Sequence, residues 1–363
     1  MNVSSRVTIR RSALRLSLAS AGTAALLALT ACGGSSPATT SSSAAASSAA
    51  AADFGTLDMN LSWIKNAEFA GEYFADSKGY FADAGFSEVN LIAGGPGGTS
   101  TETVVLAGGA LVGTSSPLGV APVIQEDDAP LKIIGTKYQK NPFTVTSLAD
   151  NPIKTPQDLV GKKIGVQAGV NETLFEALLE VNGIEKSSLT VIPVQYDPQP
   201  LVNGEVDGFF AYITNESITL EVDGHDVENL PLADNGLPFM AESLVTTEEN
   251  IQTHREALKG FLVAMIKGWK DAVADPEESA RLAVEEYGSD LGLEMGKEIR
   301  QAQEQNKLVA TAETEANGLM SMSDKLMADN VEILKLAGYD LTVEDLFDTT
   351  LLEEVYAENP DLL

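Results

Sequence analysis

The segment from Leu57 to Phe86, LDMNLSWIKNAEFAGEYFADSKGYFADAGF, changes its apolar period partway along. Leu57, Met59, Leu61 and Trp63 alternate with Asp58, Asn60 and Ser62, and a period of two predicts a strand. Phe69, Ala70, Tyr73 and Phe74 then share one face at helical spacing, and Gly79 ends the helix. A strand feeding a helix puts the turn between Trp63 and Phe69 at the strand's carboxyl end, where open α/β sheets bind their ligands. Trp63, Asn66 and Glu68 give that turn an aromatic ring, an amide and a carboxylate, so it is the first candidate site.

Similar units recur downstream. Ser87 to Ala93 reads as a strand, followed by Gly94-Gly95-Pro96-Gly97-Gly98 and a helix to about Leu106 capped by Thr99 or Ser100. A glycine-rich loop before a helix can bind an anion through free backbone N–H groups. This one lacks a Walker lysine and the GxGxxG spacing, and it reads more simply as a tight turn. Val112 to Pro117, which includes Ser115, lies between a short apolar run and another helical segment, and Leu131 to Gly135 reads as a strand. Thr155 to Lys163 is a short capped helix leading into the strand Ile164 to Gln167. Gly169 and Asn171 then precede an amphipathic helix, Glu172 to Val181, making a second strand–loop–helix. After a strand at Leu189 to Val194, the stretch from Tyr196 to Tyr212 reads as helix, turn and strand, with Thr214-Asn215-Glu216 at its end. From Thr247 onward the apolar spacing is mostly helical. Strands confined to 57–245 and helices beyond fit two α/β lobes better than one long sheet.

Charge narrows the partners. There are 53 Asp and Glu against 23 Lys and Arg, a net of −30. Four of the cations, Arg6, Arg10, Arg11 and Arg15, lie in the first 31 residues, which hold no acid. A body this acidic is not a nucleic-acid binder. The one cysteine, Cys32, excludes disulfides within the chain and cysteine-based metal sites. Two histidines, His225 and His254, some 29 residues apart, argue against a histidine-rich zinc site. No Ser/His/Asp set or metal-ligand cluster assembles, so no catalytic residue, metal or cofactor is expected.

The amino terminus reads as an export signal over 1–31: a basic stretch, then the apolar run Leu16 to Leu29, too short for a membrane span. Leu29-Thr30-Ala31-Cys32 resembles the lipobox of bacterial lipoproteins, which implies lipidation of Cys32 and an anchor on the extracytoplasmic face of the cell membrane. Arg10-Arg11 raises a twin-arginine signal, although Ser12-Ala13-Leu14 fits that pattern poorly. The rest of 32–53 is mostly Gly, Ser, Thr and Ala, a flexible tether with a mean reach of about 25 Å.

A family resemblance rests on W-x-x-N-x-E-F-A-G-x-Y at Trp63–Tyr73, then Lys78-Gly79-Tyr80-Phe81 and Gly85. Ile153-Lys154-Thr155-Pro156, Asp158-Leu159 and Gly161-Lys162-Lys163-Ile164-Gly165 follow in order. Gly204-Glu205-Val206-Asp207-Gly208 and Gly268-Trp269-Lys270 complete the series. Over Leu57 to Tyr356 the sequence resembles solute-binding proteins of ABC importers, in the branch for thiamine-pyrimidine precursors, sulfonates, taurine and nitrate. The resemblance implies a type 2 periplasmic-binding-protein fold, two α/β lobes joined by two crossovers that close on a ligand. Lobe 1 would comprise 54–147 plus 243–363 and lobe 2 148–242, with crossovers near 145–150 and 240–246. It also implies an ABC permease and its ATPase as partners, and a monomer. Fungal relatives are enzymes that make the thiamine pyrimidine and consume an active-site histidine; Phe69 stands at that position, and one cysteine cannot supply their iron motif.

Within that branch the cleft segments offer aromatics (Trp63, Phe69, Tyr73, Tyr196, Tyr212), amides (Asn66, Asn171, Asn215), the acids Glu68 and Glu216, and Ser115. Few cations accompany them. Rings flanking a flat heterocycle, with carboxylates and amides at its edge, suit an aminopyrimidine, whereas a carboxylate in a dry cleft repels a sulfonate. The expected ligand is a heteroaromatic precursor, with flavin, sulfonate, taurine or nitrate as alternatives on the same fold, and a pyrimidine-biosynthesis enzyme as the less favoured reading. Blander readings stand beside these: Tyr73 as helix core, Asn66 as a cap, and Glu68 as a solvated first-turn acid.

Overall fold

A computed structural model describes residues 53–95 and 98–363. The export segment, Cys32 and nearly all of the tether lie outside the described residues, as do Pro96 and Gly97 of the glycine loop.

The strands form two five-stranded sheets. The first contains β1 (Gly55–Asn60), β2 (Phe86–Ile92), β3 (Val112–Ser115), β4 (Leu131–Tyr138) and β10 (Ala241–Thr247). The second contains β5 (Phe143–Leu148), β6 (Lys163–Val166), β7 (Thr190–Pro193), β8 (Gly208–Tyr212) and β9 (Val227–Pro231). Their orders, β2-β1-β3-β10-β4 and β7-β6-β8-β5-β9, follow one plan. Three parallel strands are followed by one antiparallel strand, β10 or β5, that has come from the other half of the chain. Parallel strands need helical crossovers that cover both faces, and the apolar helices supply them.

The chain passes between the sheets at 139–142 and 232–240. Both passages fall ahead of the expected 145–150 and 240–246, because β5 already pairs with β8 and β9, and all of β10 pairs in the first sheet. Asn141 Nδ2 donates to Leu237 O at 2.8 Å, tying the two passages to each other. One hydrophobic core lies under the first sheet and carries Trp269, fully buried. A second core runs from Leu118 and Ile133 of the first half to Val145 and Phe210 of the second, with Phe239 and Met240 of the second passage within it.

The opening segment differs from its alternation in one respect. β1 ends at Asn60, and Leu61 to Asn66 form an irregular turn before a short 3-10 turn, Ala67–Phe69, and the helix Ala70–Ser77. Leu61 is still buried and its N–H still donates to Ile92 O of β2 at 2.8 Å, so the pairing runs one residue past the strand before the turn begins. That helix packs on the helix Arg255–Ala274 at a backbone-to-backbone contact. A Cβ on Gly268 would lie 2.1 Å from Gly71 O, and one on Gly71 would lie 2.2 Å from the Trp269 ring.

Candidate functional site

The turn after β1 is fixed from three directions. Asn66 Oδ1 accepts from the Glu68 N–H at 3.1 Å, capping the short turn. The helix Met295–Val309 brackets the Ala67 peptide: Glu298 Oε2 accepts from Ala67 N–H at 2.7 Å, and Gln305 Nε2 donates to Ala67 O at 2.7 Å. Gly94 N–H donates to Trp63 O at 3.0 Å, and a Cβ there would sit 2.3 Å from Leu61 O. The glycine loop therefore acts here as a buttress behind the turn. Held in this way, Trp63 and Glu68 line a cavity of about 150 Å³ between the two sheets.

Ser62, Trp63, Glu68 and Glu242 supply the first side of that cavity. The second side has Phe143 and Tyr212, whose rings meet edge to face at 4.6 Å, together with Asn171, Tyr196, Asn215 and Glu216. Trp63 and Tyr196 meet across the cleft with ring centroids 5.1 Å apart and planes at 65°. Glu216 opens the helix Glu216–Val222; its Oε2 accepts from Tyr212 N–H at 2.8 Å and its Oε1 from Asn215 Nδ2 at 3.2 Å. Lys297 Nζ reaches over from the first half to donate to Asn215 Oδ1 at 2.8 Å. Asn171 Nδ2 donates to Gln167 Oε1 at 2.9 Å, and Gln167 Nε2 to Phe210 O at 3.0 Å, so the amide wall is pre-oriented.

A buried charge cluster stands behind the first side. Lys137 Nζ lies 2.7 Å from Glu72 Oε1 and 3.5 Å from Glu242 Oε2, and it sits over the rings of Phe69 at 4.7 Å and Trp269 at 5.7 Å. Ser62 Oγ donates to Glu242 Oε2 at 3.0 Å. Glu242 has a φ of +50°, a strained conformation for a residue with a Cβ, and such strain concentrates at functional sites. Burial pushes the Glu68 carboxyl well above the ordinary glutamate range, and Glu242 beside it adds to the rise against the opposing pull of Lys137. Burial likewise raises Glu72 against the pull of Lys137, and raises Glu216 against its backbone hydrogen bonds. Burial pulls Lys137 down, but Glu72 and Glu242 outweigh it and leave the ammonium raised.

The structure thus brings Trp63, Glu68 and Asn171 together with Tyr196, Tyr212, Asn215 and Glu216. The remaining expected residues lie elsewhere. Asn66 is the cap. Phe69 is buried beneath Lys137, and Tyr73 stacks on Tyr287 in the core at 4.3 Å and 9°. Ser115 donates to Glu102 at the end of β3, away from the cavity lining. The spacing of Phe69 and Tyr73 places both on the buried side of the turn and helix, Phe69 under Lys137 of β4 and Tyr73 against Tyr287. Sequence reading missed Ser62, Phe143, Gln167, Phe210, Ala211 and Glu242. Ser62 and Gln167 adjoin motif residues already singled out, whereas Glu242 carries no local signal, because β10 reaches the cavity only through the second passage. Among the described residues no group of three or more His, Cys, Asp or Glu is placed to hold a metal ion.

A family model described as NMT1/THI5 like matches residues 66–279. The formylaminopyrimidine-binding protein of Halalkalibacterium halodurans is 26% identical over 228 residues, 62% of this chain and 68% of its own. The riboflavin-binding protein RibY of Chloroflexus aurantiacus is 26% identical over 236 residues, 62% of this chain and 65% of its own. The chain therefore spans about two thirds of the length of these relatives. Among solved structures, a putative periplasmic sulfonate-binding protein SsuA from Methylobacillus flagellatus superposes with a TM-score of 0.62 at 16% identity, covering 85% of this chain and 95% of its own. The desulfurization enzyme DSZB does so with a TM-score of 0.56 at 12% identity, covering 83% and 99%. Likeness at that level of identity establishes the periplasmic-binding-protein fold, which carries binding proteins and an enzyme alike.

Proposed function

The chain belongs to the NMT1/THI5-like family, and from that premise we propose that it is the extracytoplasmic solute-binding component of an ABC importer, capturing a small nitrogen heterocycle of the aminopyrimidine class. The observation that carries this reading is the cavity itself. It lies between two α/β halves joined by two passages, the geometry of hinged closure, and Trp63 and Tyr196 meet across it. Its volume of about 150 Å³ is that of a cavity able to take one six-membered ring. Among the described residues no Lys or Arg lines it, while Glu68, Glu216, Glu242, Asn171 and Asn215 do. Sulfonates and nitrate need donors and positive charge; a ring with amino groups at its edge needs acceptors. A tricyclic flavin, the solute named for RibY, would require the halves to separate further.

Capture without chemistry is the corresponding expectation for mechanism. Phe69, at the position where the fungal enzymes keep histidine, is buried under Lys137 and offers no proton-transfer group. The permease and its ATPase are the proposed partners, and the lipid on Cys32 is the proposed anchor; no helix among the described residues is long and apolar enough to cross a membrane. A thermal-shift screen against aminopyrimidines, thiamine, flavins, taurine, alkanesulfonates and nitrate tests the reading, since a ligand bound only by the folded state raises stability by mass action. Aminopyrimidines are expected to give the largest shift. A shift with alkanesulfonates, taurine or nitrate alone removes the proposed ligand class.

A further inference from the structure

Three carboxyl groups line the cavity, Glu68 and Glu242 on one side and Glu216 on the other. Their partners are unequal. Glu216 accepts from Tyr212 N–H and Asn215 Nδ2. Glu242 accepts from Ser62 Oγ and lies 3.5 Å from Lys137. Glu68 is only 6% exposed, and among the described residues the side-chain hydrogen-bond partner of its carboxyl is Glu242, with no amide, backbone N–H or cation donating to it. Two carboxyls can share a hydrogen bond only with a proton between them, so the pair, when both are ionised, is costly unless the occupant supplies a donor. The one buried cation of the cluster, Lys137, is already engaged by Glu72 at 2.7 Å, behind the wall. Lys297 ends on the Asn215 amide oxygen and makes no ion pair with Glu216.

We propose that the cavity selects a ligand bearing positive charge, whose N–H groups are taken by the Glu68–Glu242 pair on one side and by Glu216 on the other. This rests on the cavity being the binding site argued above, and it adds the ligand's charge and the residues that read it. Taking a cation out of water is expensive, so a site for one needs anionic acceptors that are already desolvated and held in place. Burial and the neighbouring carboxyl raise Glu68, and a cation at its oxygens would act against both causes. Amidinium, aminopyrimidinium and ammonium groups on a single ring meet these demands. A neutral ring of the same shape leaves the carboxyl pair facing itself.

Matched probes on the intact protein test the proposal: benzamidinium against neutral benzamide, and an aminomethyl-substituted aminopyrimidine against its hydroxymethyl counterpart, each by calorimetric titration near neutral pH. The cationic member of each pair is expected to bind about tenfold or more tighter. Glu68→Gln, nearly isosteric, should reduce that ratio to about threefold or less, and Glu216→Gln should reduce it from the other side, with thermal unfolding confirming that each variant folds. The ratio separates a charge-reading role from a merely structural one, which would weaken both members alike. Equal or tighter binding of the neutral members, binding of neither cation, or an unchanged ratio in both variants would overturn the proposal. If benzamidinium is preferred over benzamide while neither aminopyrimidine binds, charge selection stands and the aminopyrimidine reading falls.

Discussion

Lys137 is the residue on which the first side of the cleft depends. It is fully buried, and its ammonium is enclosed by the Glu72 and Glu242 carboxylates and the faces of Phe69 and Trp269. Removing one member of a buried ion pair strands the other, so Lys137→Met should cost about 3–5 kcal/mol. Urea unfolding measures it, and adding Glu72→Gln should recover part of the loss; a cost below about 1 kcal/mol would show that the cluster is not a buried ion pair. The turn residues around it were readable from local pattern. Trp63 and Glu68 stand where a strand's period gives way to a helix's, and Asn66 is a cap by residue type alone. Lys137 and Glu242 were not readable. Each sits in a strand of mixed polar and apolar residues where one more charge carries no signal, and what makes it part of the site is a partner about 65 or 180 residues away.

At the scale of elements, the helix Met295–Val309 does two jobs. Its Glu298 and Gln305 clamp the Ala67 peptide, while Lys297 and Arg300 reach Asn215 and Glu221 of the second half, the latter at 2.8 Å. Gln305→Ala would strand Tyr138 OH, bonded to Gln305 Oε1 at 2.9 Å, and would leave Ala67 O, now 2.7 Å from Gln305 Nε2, with the Ala70 N–H alone. The expected loss is about 2–4 kcal/mol in chemical unfolding, together with weaker ligand binding as the turn loosens. Unchanged binding would mean that the turn needs no clamp. The sequence announced this helix by its apolar spacing but gave no sign of the clamp, because Glu and Gln facing inward look the same as Glu and Gln facing water. The motif glycines conceal a similar ambiguity. Gly71 and Gly268 carry family spacing and serve helix contact: either one with a Cβ would collide with the neighbouring helix. The place where β5 leaves the first half was misjudged for a related reason, since an antiparallel strand buried on both faces has the same composition in either sheet.

At the scale of the molecule, the charge balance of −30 and the buried acids set the response to pH. Glu68, Glu72, Glu216 and Glu298 are all raised, with burial as the leading cause. A raised acid binds its proton more tightly folded than unfolded. Its contribution is therefore fully present below the ordinary glutamate value of 4.5 and is lost as pH rises through the folded value. Asp158 and Asp345 are lowered by backbone hydrogen bonds, and their contribution is lost only as pH falls through their depressed values. The Tm of the unliganded protein should therefore rise on acidification from about pH 7 to about pH 5 and fall below about pH 4. Glu68→Gln should raise Tm at neutral pH and flatten the upper limb; a Tm that declines steadily from neutrality downward would contradict the buried-acid account. The two-lobed plan was legible as strands followed by helices. The closing surface was not, because it forms from segments that meet only when both sheets are complete. The central claim, that a small nitrogen heterocycle is held between these surfaces, has a direct probe in the chain's two tryptophans. Trp269 is fully buried in the core, and Trp63 lines the cavity. Titrating the protein with a formylaminopyrimidine while following tryptophan emission should give a saturable one-to-one change that disappears in Trp63→Phe. No saturable change with aminopyrimidines, or the same change retained in Trp63→Phe, would contradict it.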